Sequence, residues 1–182
     1  YVSPTVWAWR QGRIRKIAKK IDLMITLYPF ETAIYRQHGI PVEFVGHPKA
    51  VEINPEAGPA GQPDARQQLG IAADSRVLAI LPGSRSSEVD MSGRDFLQAA
   101  LLLTQSFDVM LIPAANVKRA QQLRAMLADY PGLAACARVL DGESRLAMTA
   151  ADVVLVNSGT ATLEAMLLRS EEHTSELQSR PH

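Results

Sequence analysis

The sequence predicts a doubly wound α/β protein. Three observations carry that prediction: short apolar runs, amphipathic stretches alternating with them, and small glycine-bearing turns where two of the runs end. The apolar runs fall at residues 22–27, 42–45, 76–81, 108–112, 138–140 and 152–156. Most are nearly continuous in Val, Ile, Leu and Met, as strands read when a parallel sheet buries both of their faces. Helical spacing covers 12–20, 30–38, 64–69, 94–106, 117–129, 144–149 and 160–168. Strand and helix in alternation imply right-handed βαβ units. The rhythm breaks at 48–62, where Pro48, Pro55, Pro59, Gly58 and Gly61 leave no usable periodicity, so a linker is expected there. The predicted organisation is therefore the end of one Rossmann-like domain at 1–48, a hinge at 49–63, and a second, incomplete Rossmann-like domain at 64–168.

Composition excludes several function classes. Hydrophobic residues make up 47% of the 182 and charged residues 21%, enough apolar content for a packed core. Lys plus Arg and Asp plus Glu each number 19, and a net charge of zero gives no footprint for nucleic acid, so none is expected as a partner. Cys136 is the single cysteine, which excludes a disulfide framework and reads as a small buried hydrophobe. No apolar run approaches the roughly 18 residues that span a bilayer. No His, Cys, Asp or Glu spacing resembles a metal site, and no metal or cofactor is expected.

The first motif is LPGSRSSEV at residues 81–89, directly after an apolar run. Such a turn sets backbone N–H groups at the carboxyl edge of the sheet, where open α/β folds bind ligands. Gly83 lets an anion approach the backbone, Ser84 and Ser87 add hydroxyls, and Arg85 offers a planar fork for phosphate oxygens. A plain βα turn with a solvated arginine fits the same letters equally well. The second motif is NSGTATLE at residues 157–164, also after an apolar run. Its Ser158-Gly159-Thr160 turn opens a helix whose free N–H groups favour an anion, and Glu164, one turn on, suits a ribose diol. Alone, this motif reads better as an N-cap at Ser158 or Thr160 with Glu164 complementing the helix dipole. Two such turns in one half-domain shift the balance towards a nucleotide diphosphate.

Elsewhere, Trp7 and Trp9 precede Arg10, Arg13, Arg15, Lys16, Lys19 and Lys20. A solvated cationic face with tryptophan in the core is the commoner meaning of that pattern, and contact with an anionic membrane surface is the other. His47 ends an apolar run just before the linker and reads as a structural cap or a cleft histidine. His38, followed by Gly39, sits where a helix end favours a cation.

The ordered set YVSPTVWAWR (1–10), YPFE (28–31), FVGHP (44–48), LPGSRSSEV (81–89), Asn116 after Ile112-Pro113-Ala114-Ala115, and NSGTATLEAMLL (157–168) resembles the lipid-A-disaccharide synthase family. The resemblance implies two Rossmann-like domains in the GT-B arrangement, the second binding a nucleotide sugar. It implies glucosaminyl transfer, with inversion, from UDP-2,3-diacylglucosamine to 2,3-diacylglucosamine 1-phosphate. Gly83, Ser84, Arg85, Asn116, Ser158, Gly159, Thr160 and Glu164 would then bind the donor, and Arg85 would also stabilise the departing UDP. Partners would be the two lipid sugars and, peripherally, the inner membrane of a Gram-negative bacterium from its cytoplasmic side. The acidic residue that deprotonates the acceptor is expected upstream of Tyr1. Lys49 and Val51 depart from the family pattern, where a Leu-like residue and often Asp stand.

Readings in competition are another GT-B enzyme of UDP-sugars, such as a UDP-N-acetylglucosamine 2-epimerase or a peptidoglycan glucosaminyltransferase, and a two-lobed α/β binding protein. Residues 169–182 are polar and lack a strand pattern. RSEEHTSELQS at 169–179 resembles one reading frame of a sequencing-library adapter, so a non-native tail on a truncated, inactive fragment is expected.

Overall fold

The computed structural model describes residues 12–53 and 57–168. The Trp7/Trp9 segment and the tail at 169–182 lie outside the described residues. The chain divides into two compact units, one ending at Glu52 and the other beginning at Ile53.

The first unit runs α1 (Arg13–Ala18), β1 (Met24–Thr26), α2 (Pro29–Gln37), β2 (Val42–Phe44) and α3 (Pro48–Glu52). β1 and β2 pair in parallel, Met24 opposite Val42 and Thr26 opposite Phe44. Ile14, Met24, Tyr35 and Ile40 form its core. Helix α2 starts where the sequence stops favouring extension: Pro29 takes the first helical position, and Glu31 returns its carboxylate to the Tyr28 N–H at 3.3 Å. At its other end His38 Nδ1 lies 2.8 Å from the Ile34 carbonyl.

The second unit runs α4 (Ala57–Gln68), β3 (Val77–Leu81), α5 (Ser86–Leu102), β4 (Val109–Ala114), α6 (Val117–Leu127), β5 (Ala137–Asp141), α7 (Ser144–Ala150), β6 (Val153–Val156) and α8 (Thr160–Leu168). Its four strands are all parallel, in the order β5-β4-β3-β6. Every residue of β3 and β4 is buried, which is why neither run alternates with polar residues. The two-residue period instead sorts apolar side chains between the faces. Val77, Ala79, Leu81, Val109 and Leu111 belong to one core with residues of α4, α7 and α8. Leu78, Ile80, Met110 and Ile112 belong to the other, with residues of α5 and α6. Cys136 packs half-buried against the second of these cores.

Parallel α/β architecture is thus as the sequence predicts, but two boundaries move. Helix α5 begins at Ser86 rather than near 94, within the motif read as a turn. The expected linker at 48–62 is largely helical, forming α3 and the first half of α4. Pro48 and Pro59 stand in first turns, where a missing N–H costs nothing, and only Pro63 lies inside a helix. His47 Nδ1 accepts the Lys49 N–H at 3.1 Å, so the histidine caps α3. Its ring lies 5.9 Å from that of Tyr28.

Candidate functional site

Strand order fixes where a ligand site can form. The chain steps outward from β3 to β4 to β5, then crosses back so that β6 lies on the other side of β3. That reversal is a topological switch point, where the turns leaving two adjacent strands diverge and open a crevice at their carboxyl ends. A cleft of about 570 Å³ occupies this position, within the ordinary size range for small-molecule sites.

One wall is the turn after β3, with Leu81, Gly83, Ser84, Arg85 and Glu88; the facing wall is the turn after β6, with Asn157, Ser158, Gly159, Thr160, Ala161 and Glu164. Pro113, Ala115 and Ser144 complete it. Seven of the eight donor-binding candidates therefore meet in one cleft: Gly83, Ser84, Arg85, Ser158, Gly159, Thr160 and Glu164. Asn116 is not among the lining residues. Its side chain accepts the Arg119 N–H at 3.0 Å and caps α6, while its neighbour Ala115 faces the cleft.

The first turn is organised by a residue that the motif reading passed over. Glu88 Oε2 accepts the Ser84 N–H at 2.9 Å and the Arg85 N–H at 3.1 Å, and Oε1 accepts from the Arg85 guanidinium at 3.1 Å. The backbone N–H groups of Arg85 and Ser84, in that order, hold the Glu88 carboxyl below its ordinary pKa. Gly83 has φ +146°, and an ideal Cβ built there would lie 2.5 Å from Glu88 Cβ. Glycine is what lets the turn fold beneath that side chain. The Arg85 side chain is 81% exposed, so apart from its pairing with Glu88 the guanidinium is largely in solvent at the cleft wall.

The second turn repeats the logic with a neutral group. Thr162 Oγ1 accepts the Gly159 N–H at 3.3 Å, so Thr162 takes the capping part offered above to Ser158 or Thr160. The two turns are also joined to each other. Asn157 Nδ2 donates to the Pro82 carbonyl and to Ser92 Oγ, both at 3.2 Å, and the Asn157 N–H donates to the Leu81 carbonyl at 3.0 Å. Ser92 Oγ in turn lies 3.0 Å from the Pro82 carbonyl and 2.7 Å from that of Glu88.

Glu88 and Ser92 were legible in principle. A Glu at the third position of a helix is the signature of a capping box, and moving the start of α5 from 94 to 86 exposes both. Ser144 follows Asp141-Gly142-Glu143 at the end of β5, a third strand-turn-helix junction of the same kind.

A parallel Rossmann-like sheet with two glycine-bearing turns flanking its switch point defines the class of open α/β proteins that take their ligand at the carboxyl ends of the strands. The family model for lipid-A-disaccharide synthetase matches residues 1–171. Lipid-A-disaccharide synthase of Alcanivorax borkumensis is 51% identical over 170 residues, covering 92% of this chain and 43% of that protein. The Chromohalobacter salexigens protein of the same name is 48% identical over 169 residues, and that of Paraburkholderia xenovorans 44% over 171. The chain belongs to the lipid-A-disaccharide synthetase family. It spans about 43% of the length of these relatives.

Among the described residues no helix is long and apolar enough to cross a membrane, and no group of three or more His, Cys, Asp or Glu side chains could hold a metal ion.

Proposed function

We propose that the second unit binds the donor nucleotide of a glycosyltransferase. The enzyme would join UDP-2,3-diacylglucosamine to 2,3-diacylglucosamine 1-phosphate, giving lipid A disaccharide 1-phosphate and UDP. The observation that carries this reading is the convergence of both glycine-bearing turns on one cleft at the switch point, within a family whose relatives bear that synthase name.

In this reaction the acceptor hydroxyl oxygen forms a bond to the anomeric carbon as the bond to the UDP oxygen breaks, and the hydroxyl proton leaves to a base. Negative charge grows on the departing diphosphate. Arg85, largely exposed at the cleft wall, and the amides of the Gly83-Ser84 turn would stabilise that charge. Ser158, Gly159 and Thr160 would hold the nucleotide at the N-terminus of α8, and Glu164 would accept from its ribose. The donor and acceptor both carry acyl chains, which places the reaction at a membrane face. The exposed Arg13, Arg15, Lys16, Lys19 and Lys20 of the first unit would suit the anionic cytoplasmic surface of a Gram-negative inner membrane.

Calorimetric titration of the full-length protein with UDP tests the reading. Arg85→Ala is expected to weaken UDP binding at least tenfold and to lower turnover by roughly 10²–10³, as removal of one charge-stabilising group does in related chemistry. Absence of UDP binding, or an Arg85→Ala protein with unchanged affinity and turnover, would overturn it.

A further inference from the structure

We propose that the Glu88 carboxylate occupies the phosphate position of the unliganded first turn and is displaced when a nucleoside diphosphate binds. The inference rests on the nucleotide reading above and adds a competitor already built into the site.

The donors settle the geometry. Oε2 of Glu88 takes the N–H of Ser84 at 2.9 Å and that of Arg85 at 3.1 Å, and Ser84 Oγ is 3.4 Å away. Two adjacent amides and a hydroxyl converging on one oxygen are the donor set that a phosphate oxygen seeks at such a turn. Oε1 meanwhile binds the Arg85 guanidinium, the one cation among the described residues that line the cleft. Every strong anion donor of the first wall is therefore engaged by the same carboxylate.

Charge then decides between retention and displacement. Among the described residues that line the cleft, the charged side chains are Arg85, Glu88 and Glu164. A diphosphate brought to Arg85 with Glu88 in place would meet the Glu88 carboxylate, a like charge already paired with that guanidinium at 3.1 Å, and would find the turn amides taken. With Glu88 turned out, the same amides and guanidinium face the ligand. The ion pair adds little to what the turn amides hold: Glu88 sits at the cleft wall with its side chain 33% exposed, and its partner Arg85 is 81% exposed. Solvent-exposed ion pairs of this kind hold weakly. The cap has a cost to phosphate affinity in every unliganded molecule, and it keeps the turn ordered while the cleft is empty.

Glu88→Gln tests this directly, because it keeps size and one acceptor while removing the charge. On the full-length protein, calorimetry is expected to show UDP bound roughly tenfold more tightly by E88Q than by wild type, the step expected when a charge-assisted competitor becomes a neutral one. Uridine, which carries no phosphate, should bind both proteins alike. Glu88→Asp, one methylene shorter and drawn back from both amides, should also tighten UDP and serves if E88Q folds poorly. Unchanged or weaker UDP binding by both variants would overturn the proposal while leaving the nucleotide reading intact. An equal gain for uridine would overturn it too, since the effect would not lie at the phosphate. If neither wild type nor variants bind UDP, the nucleotide reading fails and takes this inference with it.

Discussion

At Gly83 two independent constraints fall on a single α-carbon. The backbone takes φ +146°, open to glycine and strained for any L side chain, and an added Cβ would meet Glu88 Cβ at 2.5 Å. Gly83→Ala is therefore expected to cost about 1–3 kcal/mol of stability, the usual penalty for a non-glycine residue in such a region. It should also abolish UDP binding, because the turn can relieve the clash only by moving the amides of Ser84 and Arg85. Urea unfolding and calorimetry on the same protein would check both. Asp108 offers a contrasting test remote from the cleft. The Arg76 side chain, and then the Arg76 N–H, hold its carboxyl down to about 2. A depressed carboxyl contributes stability that is present above its unfolded value near 3.9 and is lost as pH falls through that value towards 2. Wild type should therefore lose its advantage over Asp108→Asn between about pH 4 and pH 2. Both residues are exposed, so the difference will be small and diminished by salt.

At the scale of elements, the turns after β3 and β6 act together because Ser92 of α5 and Asn157 clasp them. Neither side chain is a binding candidate from the sequence, since Ser92 lies outside the 81–89 motif and Asn157 precedes the Ser158-Gly159-Thr160 turn. Loss of the clasp should loosen one wall against the other. Ser92→Ala and Asn157→Ala are each expected to cost about 1 kcal/mol in unfolding. Each should weaken UDP several-fold, and the double variant should fall short of the sum because both bonds end on the same carbonyl of Pro82. Additive losses would show that the clasp does not couple the turns. The same region shows how far the sequence could be read. Strands β3 and β4 announce themselves through continuous apolar runs, and the two glycine-bearing turns through their place after such runs. The start of α5 did not, because Pro82, Gly83 and three serines have weak helix propensity, and it is Glu88 reaching back over the turn that starts the helix there. The first half of helix α4 was hidden for a related reason: Gly58, Pro59, Gly61 and Pro63 argue against a helix, whereas tertiary contacts sustain one. An ideal Cβ on Gly58 would lie 1.6 Å from the Leu168 carbonyl oxygen, so α4 can approach the end of α8 only through a glycine. Asn116 carries a second role that its motif does not announce: its side chain caps α6.

Across the whole second unit, one buried arginine ties the first helix to the last strand. Arg66 on α4 is 6% exposed and donates through Nε to the Ala150 carbonyl at 3.0 Å and through Nη2 to Asp152 Oδ1 at 2.8 Å; Nη1 reaches the Ala73 carbonyl. The other Asp152 oxygen accepts the Val77 N–H at 2.7 Å, where β3 begins. The network lies at the amino ends of β3 and β6, opposite the cleft, so its work is closure of the unit and not chemistry. Arg66→Ala leaves two backbone carbonyls without their buried donor and Asp152 without its cation, and each bond to a charged group contributes about 1.5–3 kcal/mol. Asp152 is 41% exposed and can recover part of its solvation, which favours a total near 3 kcal/mol over the sum of all three bonds. Arg66→Met should lose about as much, because it restores apolar bulk and no donor. Urea unfolding of the full-length protein would measure both. If the role is closure alone, UDP affinity measured where the variants remain folded should match wild type. A variant that keeps its stability but loses UDP would move Arg66 from the frame of the unit to its site.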